Sequence, residues 1–263
     1  MPSHLGNFET YLYSFLRIDV SIASMSNGLV GLEFEARIED VIVRTYNVKS
    51  FRLARPRMLN YKPGQFGFVT VEVDGQKMRK PLTLSSSPTE LDYVEFTKKL
   101  TGHPFSNGLE ALKNGDTIRL EAPYGNFVLD EQLPHVVMLA GGMGITPMRS
   151  MCRYCTDRNL STLVTLLYAN STEADIVFRR ELEEMEKQNR NLKVVFTLSE
   201  TGPDWTGRRG RINAAMIREE VPNFLKSVFY ICGPPAMVDA MRVQLSELGI
   251  SKTSIRTEDL TGY

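Results

Sequence analysis

The chain has 263 residues, with 31 Lys+Arg balancing 31 Asp+Glu, three Cys, three His and one Trp. At about 100–200 residues per domain this length fits two domains, and 42% hydrophobic with 24% charged residues excludes a disordered, collagen-like or coiled-coil chain. Zero net charge gives no electrostatic reason to expect nucleic acid or an anionic membrane as partner, and three cysteines are too few for a disulfide framework or for four-thiolate ligation of an iron–sulfur cluster.

At the start, no stretch reaches the ~20 apolar residues of a transmembrane helix. The most apolar one, Tyr11 to Leu32, is broken by Arg17, Asp19 and Asn27 and lacks a secretory signal's basic start and cleavage site. Residues 1–32 read as a surface extension without chemistry, with Met25 as a later candidate start, and the expected location is cytoplasmic.

Residues 33–132 read as one domain of short strands. Phe34, Ala36 and Ile38 alternate with charged residues, and similar runs follow at Asn47–Ala54, Phe66–Val73, Pro81–Ser85, Tyr93–Leu100 and Asp116–Ala122. Turns such as Asp74-Gly75 and Asn114-Gly115 separate them, so the spacing predicts an antiparallel sandwich or small barrel. Within it, Met78-Arg79-Lys80-Pro81-Leu82-Thr83 puts two cations before a strand hydroxyl, which suits a phosphorylated cofactor as well as a solvated basic turn. In Gly102-His103-Pro104-Phe105-Ser106-Asn107, Ser106 is placed to cap a helix running through Leu112; that makes either an anion seat or a cap alone.

Residues 133–263 read as a second domain of alternating strands and helices. Apolar runs at His135–Ala140, Thr162–Ala169, Lys193–Leu198 and Val228–Cys232 predict a parallel sheet covered on both faces, with ligands at the carboxyl ends of its strands. After the first run, Gly141-Gly142-Met143-Gly144-Ile145-Thr146-Pro147 leads into a helix with Thr146 as expected N-cap and Pro147 as its first residue. Such a turn seats a pyrophosphate, or is a tight turn with no ligand. Cys232-Gly233-Pro234-Pro235-Ala236-Met237 ends another strand; its thiol either borders a ligand's reactive end or is a small buried hydrophobe. Cys152 and Cys155 fall inside a helix, away from the N-terminus that would activate a thiol, so they read as two packing residues on one helical face. The three His do not cluster, and no serine-hydrolase or metalloprotease motif occurs.

Taken in order, these segments resemble the ferredoxin–NAD(P) reductase superfamily over about residues 33–263, with Pro123-Tyr124-Gly125 similar to its Gly-Pro-Tyr-Gly turn. The resemblance implies an antiparallel Greek-key β-barrel for flavin followed by a parallel-sheet α/β nucleotide-binding domain. It implies FAD, held by Arg79, Lys80, Pro81, Leu82, Thr83, Gly102, Phe105, Ser106 and Asn107. Lys80 falls where the family's Arg meets flavin phosphate, Leu82 where its Tyr stacks on the flavin ring, and Thr83 where its hydroxyl bonds the ring. It also implies NAD or NADP on Gly141, Gly142, Gly144, Thr146, Pro147, Cys232, Gly233, Pro234 and Met237, with Thr83, Cys232 and Glu258 lining the transfer zone. Tyr263 reads two ways, as a cover for the flavin face or as a free terminus. The run Asn170-Ser171-Thr172 carries no cation for a 2′-phosphate, which favours NADH, although Arg179 and Arg180 follow closely.

The implied activity is hydride transfer from NAD(P)H to FAD, with electrons then passing to a separate acceptor: a ferredoxin, flavodoxin, cytochrome or oxygenase component. An electron-transfer subunit permanently docked on a partner enzyme is the alternative, and a nucleotide-binding module without turnover a third class. Arg52, Arg55, Arg57, Arg208, Arg209 and Arg211 are candidate docking cations, although a solvated surface is the commoner fate of such charges.

Overall fold

The computed structural model describes residues 19–24 and 30–260; Met25 and Tyr263, singled out above, lie outside them. Along Val30–Thr45 (β2), Phe34, Ala36 and Ile38 are buried while Glu35, Arg37 and Glu39 face out. That is the period-two pattern of a strand with one wet face. Asp19–Ser24 (β1) pairs antiparallel with β2 from Asp19↔Glu35 to Ser24↔Val30, so part of the expected surface extension joins the sheet. The other strands of this half are Val48–Ala54 (β3), Phe66–Val73 (β4), Gln76–Thr83 (β5), Tyr93–Lys99 (β6) and Thr117–Tyr124 (β7).

Strand β5 starts at Gln76 rather than at Pro81. Asp74 and Gly75, with φ of 50° and 75°, make a two-residue hairpin turn, and β5 then pairs with β4 from Val73↔Gln76 to Phe66↔Thr83. The strand order is β5-β4-β7-β2-β3-β6. One long strand serves two neighbours because β2 pairs with β7 over Leu32–Arg37 and with β3 from Ile38 onward, with register shifts after Ile38 and Val43 that bend it. A Leu84↔Phe96 bridge and the Ser85 N–H donating to the Glu95 carbonyl at 2.7 Å bring the end of β5 back to β6, closing the barrel. Phe51 and Phe96 stack inside it with centroids 5.2 Å apart. Helix α1 (Pro104–Ala111) plugs one end with Phe105 and Leu109.

Past Tyr124 the pattern changes. His135–Gly141 (β8), Leu163–Asn170 (β9), Leu192–Leu198 (β10), Arg208–Arg209 (β11), Val228–Gly233 (β12) and Ile255–Asp259 (β13) form a parallel sheet in the order β11-β10-β9-β8-β12-β13. Helices α2 (Ile145–Asp157) and α3 (Arg179–Gln188) bury one face through Met148, Met151, Cys152, Leu182 and Met185. Helices α4 (Ala214–Glu220) and α5 (Pro235–Glu247) bury the other through Met216, Ile217, Val238, Met241 and Leu245. Strand order reverses between β8 and β12, and in such a sheet the crevice at their carboxyl ends is where a ligand binds. Among the described residues no helix is long and apolar enough to cross a membrane.

Candidate functional site

On β5, Arg79, Pro81 and Thr83 oppose Thr70, Phe68 and Phe66, whereas Lys80 and Leu82 oppose Val69 and Gly67. The two cations therefore part company. Arg79 pairs with Glu121 at 2.5 Å and lies 3.5 Å from the Phe68 ring centroid, so its charge is already engaged. Lys80 is exposed and has no such partner among the described residues. Lys98 of β6 is 5% exposed, and burial together with the charge of Lys80 lowers its ammonium to about 8. Sequence reasoning missed Lys98, because Lys98-Lys99 looks like a solvated strand end; the signal was a cation at an otherwise inward-facing position. Leu82 is buried in the barrel core, so it offers no stacking surface in place of an aromatic ring. Thr83 is also buried, at the end of β5.

The first anion seat differs from expectation. Helix α1 is capped by His103, not Ser106, and ends at Ala111 with Leu112 as its C-cap. Pro104 fixes the start of the helix, which leaves Ser106 in its first turn. There the buried Ser106 hydroxyl accepts the Thr101 N–H at 2.8 Å. Phe105 is committed to the barrel core, while Asn107 is exposed. Gly102 has φ of 76° with nothing within 4 Å of where a Cβ would stand, so backbone conformation and not crowding selects glycine here.

The second seat is likewise re-capped. Gly142–Gly144 form a 3₁₀ turn that runs straight into α2, whose N-cap is Gly144. Thr146 is therefore inside the helix, donating to the Met143 carbonyl at 3.0 Å, with Pro147 buried beside it. A Cβ on Gly144 would collide with the Cys232 carbonyl, and one on Gly141 with the Met237 sulfur. These two glycines let the helix start pack against β12 and α5. Gly142 alone, with φ of 50° and open space beyond it, exposes the turn. Gly233 lies across from Gly141, and exposed Pro234 caps α5.

At the crevice Cys232 is fully buried, and burial, with the charges of Glu258 and Asp259, pushes its thiol well up. It is a packing residue and not a poised nucleophile. Opposite it in register, Glu258 has one buried carboxylate oxygen, Oε2, with no hydrogen-bond partner, and burial pushes the carboxyl up to about 7. Leu260 continues past Glu258 and donates its N–H to the Gly233 carbonyl at 3.3 Å.

Along the carboxyl ends of β9 and β10 lies a cleft of about 440 Å³ lined by Thr172, Glu173, Glu200, Thr201, Asp204 and Trp205. Three carboxylates face it. Two cations reach its walls: Arg179, paired with Glu173 and with Glu183 at 2.9 Å, and Arg209, which donates to the Thr201 hydroxyl and the Trp205 carbonyl.

Helix α2 ties the two seats together. Arg149 donates to the Ser85 carbonyl at 3.1 Å, and the Ser150 hydroxyl donates to the Ser86 carbonyl at 2.6 Å. The helix that opens on the glycine turn thus rests directly on the residues that follow Thr83.

The expected docking cations are mostly engaged elsewhere. Arg52 pairs with Glu95 at 2.8 Å, Arg55 donates to three backbone carbonyls, Arg208 pairs with Glu219 and Glu220, and Arg209 holds Thr201 and the Trp205 carbonyl. Arg57 and Arg211 are exposed. Cys152 and Cys155 are buried thiols, the first pushed well up and the second to about 12 by burial. Among the described residues no three His, Cys, Asp or Glu gather as a metal site.

Residues 35–129 match the family model of the oxidoreductase FAD-binding domain, and residues 138–243 that of the oxidoreductase NAD-binding domain. The glycine betaine monooxygenase reductase subunit of Chromohalobacter salexigens is 32% identical over 247 residues, 91% of this chain and 66% of that protein. The Pseudomonas aeruginosa subunit of the same name is 31% identical, and this chain spans 63% of it. NADH-cytochrome b5 reductase 1 of Rattus norvegicus is 33% identical over 82% of each chain. The solved cytochrome b5 reductase domain of Ulva prolifera nitrate reductase superposes with a TM-score of 0.76 at 26% identity, over 85% of this chain and 96% of that one.

Proposed function

This chain belongs to the ferredoxin–NAD(P) reductase superfamily of FAD- and NAD-binding oxidoreductases, and we propose that it is an NADH-dependent flavin reductase delivering electrons to a separate protein. The observation that carries this reading is the contact of α2 with Ser85 and Ser86, which sets the nucleotide turn against the end of the flavin strand. FAD, when bound, would supply the redox chemistry, a two-electron acceptor for hydride that can also donate single electrons. Everything else is supplied by the chain's own residues.

Features that fit a flavin nucleotide are present: the exposed Lys80 ammonium, the open glycine at Gly102, and the buried Thr83 hydroxyl at the end of β5. Lys80 attracts phosphate, the start of α1 offers free N–H groups, and Thr83 orients the ring through its hydroxyl. Because Leu82 is turned into the barrel, ring orientation rests on hydrogen bonding more than on stacking. In the second domain, Gly142 and the start of α2 seat the pyrophosphate of NADH. Glu258 holds a proton near neutral pH at the crevice, which lets it give or take one beside the reacting groups. Cys232 packs beneath this zone and shapes it.

Glu173, Glu200 and Asp204 around the cleft repel a 2′-phosphate and can accept from a ribose hydroxyl, which supports NADH over NADPH. The three cysteines of these 263 residues are all buried thiols, too few to ligate an iron–sulfur cluster among themselves. Relatives named as a monooxygenase reductase subunit and as cytochrome b5 reductases support an oxygenase component or a cytochrome as acceptor. Unpaired cysteines fit a reducing, cytoplasmic location.

Anaerobic mixing with NADH is the test. The purified protein takes up FAD, turns yellow, and is bleached by NADH at least about tenfold more efficiently than by NADPH. Protein that stays colourless with added FAD, or yellow protein that NADH does not bleach, sinks the reading.

A further inference from the structure

Between the two domains runs an alternating chain of charges, Arg52–Glu95–Arg44–Glu181–Arg149–Glu90. Four of its members belong to the barrel half, and Glu181 and Arg149 belong to α3 and α2. Three positive and three negative charges leave it neutral. Arg149, 3% exposed, is its centre: Nη1 donates to Glu90 and to the Ser85 carbonyl, Nη2 to Glu90 at 3.0 Å and Glu181 at 2.7 Å, and Nε to Glu181 at 3.0 Å. All five N–H donors of the guanidinium are used. Ser85 is held from its other side as well, its hydroxyl donating to Glu95 at 3.1 Å and its N–H to the Glu95 carbonyl at 2.7 Å.

A network like this is a poor way to gain stability, since well-packed apolar residues of the same volume commonly do as well or better. What it does provide is direction. An apolar seam tolerates sliding; a guanidinium fork locked onto two carboxylates and one carbonyl does not. Arg149 sits on the first turns of the helix that opens on the glycine turn, and Ser85 stands two residues beyond Thr83. We propose that Arg149 is a positioning residue for hydride transfer: by clamping α2 to Ser85, Glu90 and Glu181 it sets the nicotinamide seat against the flavin strand. The proposal rests on the NADH–flavin reading above. Misplacement of reacting groups by 1 Å costs about 100-fold in rate, whereas binding of either cofactor alone is indifferent to the angle between domains.

The test is Arg149→Lys in the FAD-loaded protein, which keeps the charge and loses the fork. The limiting rate of flavin bleaching by saturating NADH falls about 10- to 100-fold, while FAD content and the NAD⁺ dissociation constant from calorimetry stay within about threefold. Amide exchange of residues 84–90 and 146–152 rises about tenfold, a readout that needs no turnover. A limiting rate within about twofold of the wild type overturns the proposal, as does a loss of rate that merely follows loss of FAD and NAD⁺ binding. Should Arg149→Lys not fold, Glu181→Gln leaves the Glu90 and Ser85 contacts in place. It gives the same split at about 3- to 10-fold, and an unchanged limiting rate there is equally fatal. If wild-type protein is not reduced by NADH at all, the functional reading fails, and the exchange data still decide whether Arg149 clamps the seam.

Discussion

Glu181 on α3 and Glu258 on β13 are both largely buried carboxylates flanking the meeting place of the two domains, and their surroundings drive them in opposite directions. Burial pushes each acid up. At Glu181 the charges of Arg149 and Arg44, at 2.7 and 2.5 Å, outweigh burial and hold the carboxyl below its ordinary value. At Glu258 nothing opposes burial, Oε2 has no partner, and the carboxyl rises to about 7. The first is ionised at every physiological pH and serves as a fixed charge in a scaffold; the second can carry or release a proton at neutral pH. A carboxylate in a crevice is not informative by itself; what faces it decides whether it holds or reacts.

The largest effect expected from breaking this contrast comes from the scaffold side. Arg149→Ala leaves the largely buried Glu90 without its counter-charge and Glu181 with Arg44 alone, a loss of about 3–5 kcal/mol, which for a chain of this size lowers Tm by roughly 10 °C in a thermal melt. A shift of only ~1 °C would mean that the seam is held by apolar packing and that the paired carboxylates are incidental. Next comes acid. Glu90 is buried too, and the hydrogen bonds and charge of Arg149 outweigh that burial to hold it low. Carboxyls with lowered folded values add stability above the ordinary value of 4.5, and this is lost as pH falls through the folded values. Chemical denaturation followed from pH 6 to 3 therefore shows a steep loss in the wild type. Glu181→Gln, lower in stability at pH 6, shows a shallower one; parallel curves would remove Glu181 from the account.

Much of this arrangement was legible in the residues, and the misses have a common cause. Alternation in β2 and the apolar runs of the parallel strands report burial on one face or two, so the barrel and the α/β sheet could be read. Helix starts could not be placed to the residue: Thr146 and Ser106 have capping side chains, but Gly144 and His103 take the cap positions because backbone packing against Cys232 and Pro104's fixed φ start each helix earlier. Nor could the glycines be sorted. Gly144 and Gly141 answer to collisions with Cys232 and Met237 and only Gly142 to an open seat, a distinction that exists only once β12 and α5 lie beside the turn. The Arg149 network joins residues 137 positions apart at its extremes of Arg44 and Glu181, and no local pattern announces it. The family resemblance implies Glu258 at the transfer zone, but its missing partner is a fact of the fold.

The smallest expected effect is the one that isolates Glu258. Glu258→Gln keeps the shape and removes the charge. In the wild type the carboxyl is protonated below about 7 in the fold but ionises from its ordinary 4.5 when unfolded, so the folded state loses stability as pH rises between those values and stays lowered above them. The substitution therefore stabilises the protein at pH 8, by about 1–3 kcal/mol after allowing for the carboxylate's partial exposure, and leaves it nearly unchanged at pH 4. That sign is opposite to Glu181→Gln, which destabilises at pH 6 and above. The same substitution flattens the pH profile of the limiting bleaching rate around 7, because the carboxyl that titrates there at the crevice is gone. Melts at pH 4 and 8 separate the two roles. Were Glu258→Gln to destabilise at pH 8, its Oε2 must have a partner in solution, and the carboxylate would belong with Glu181 among the scaffold charges.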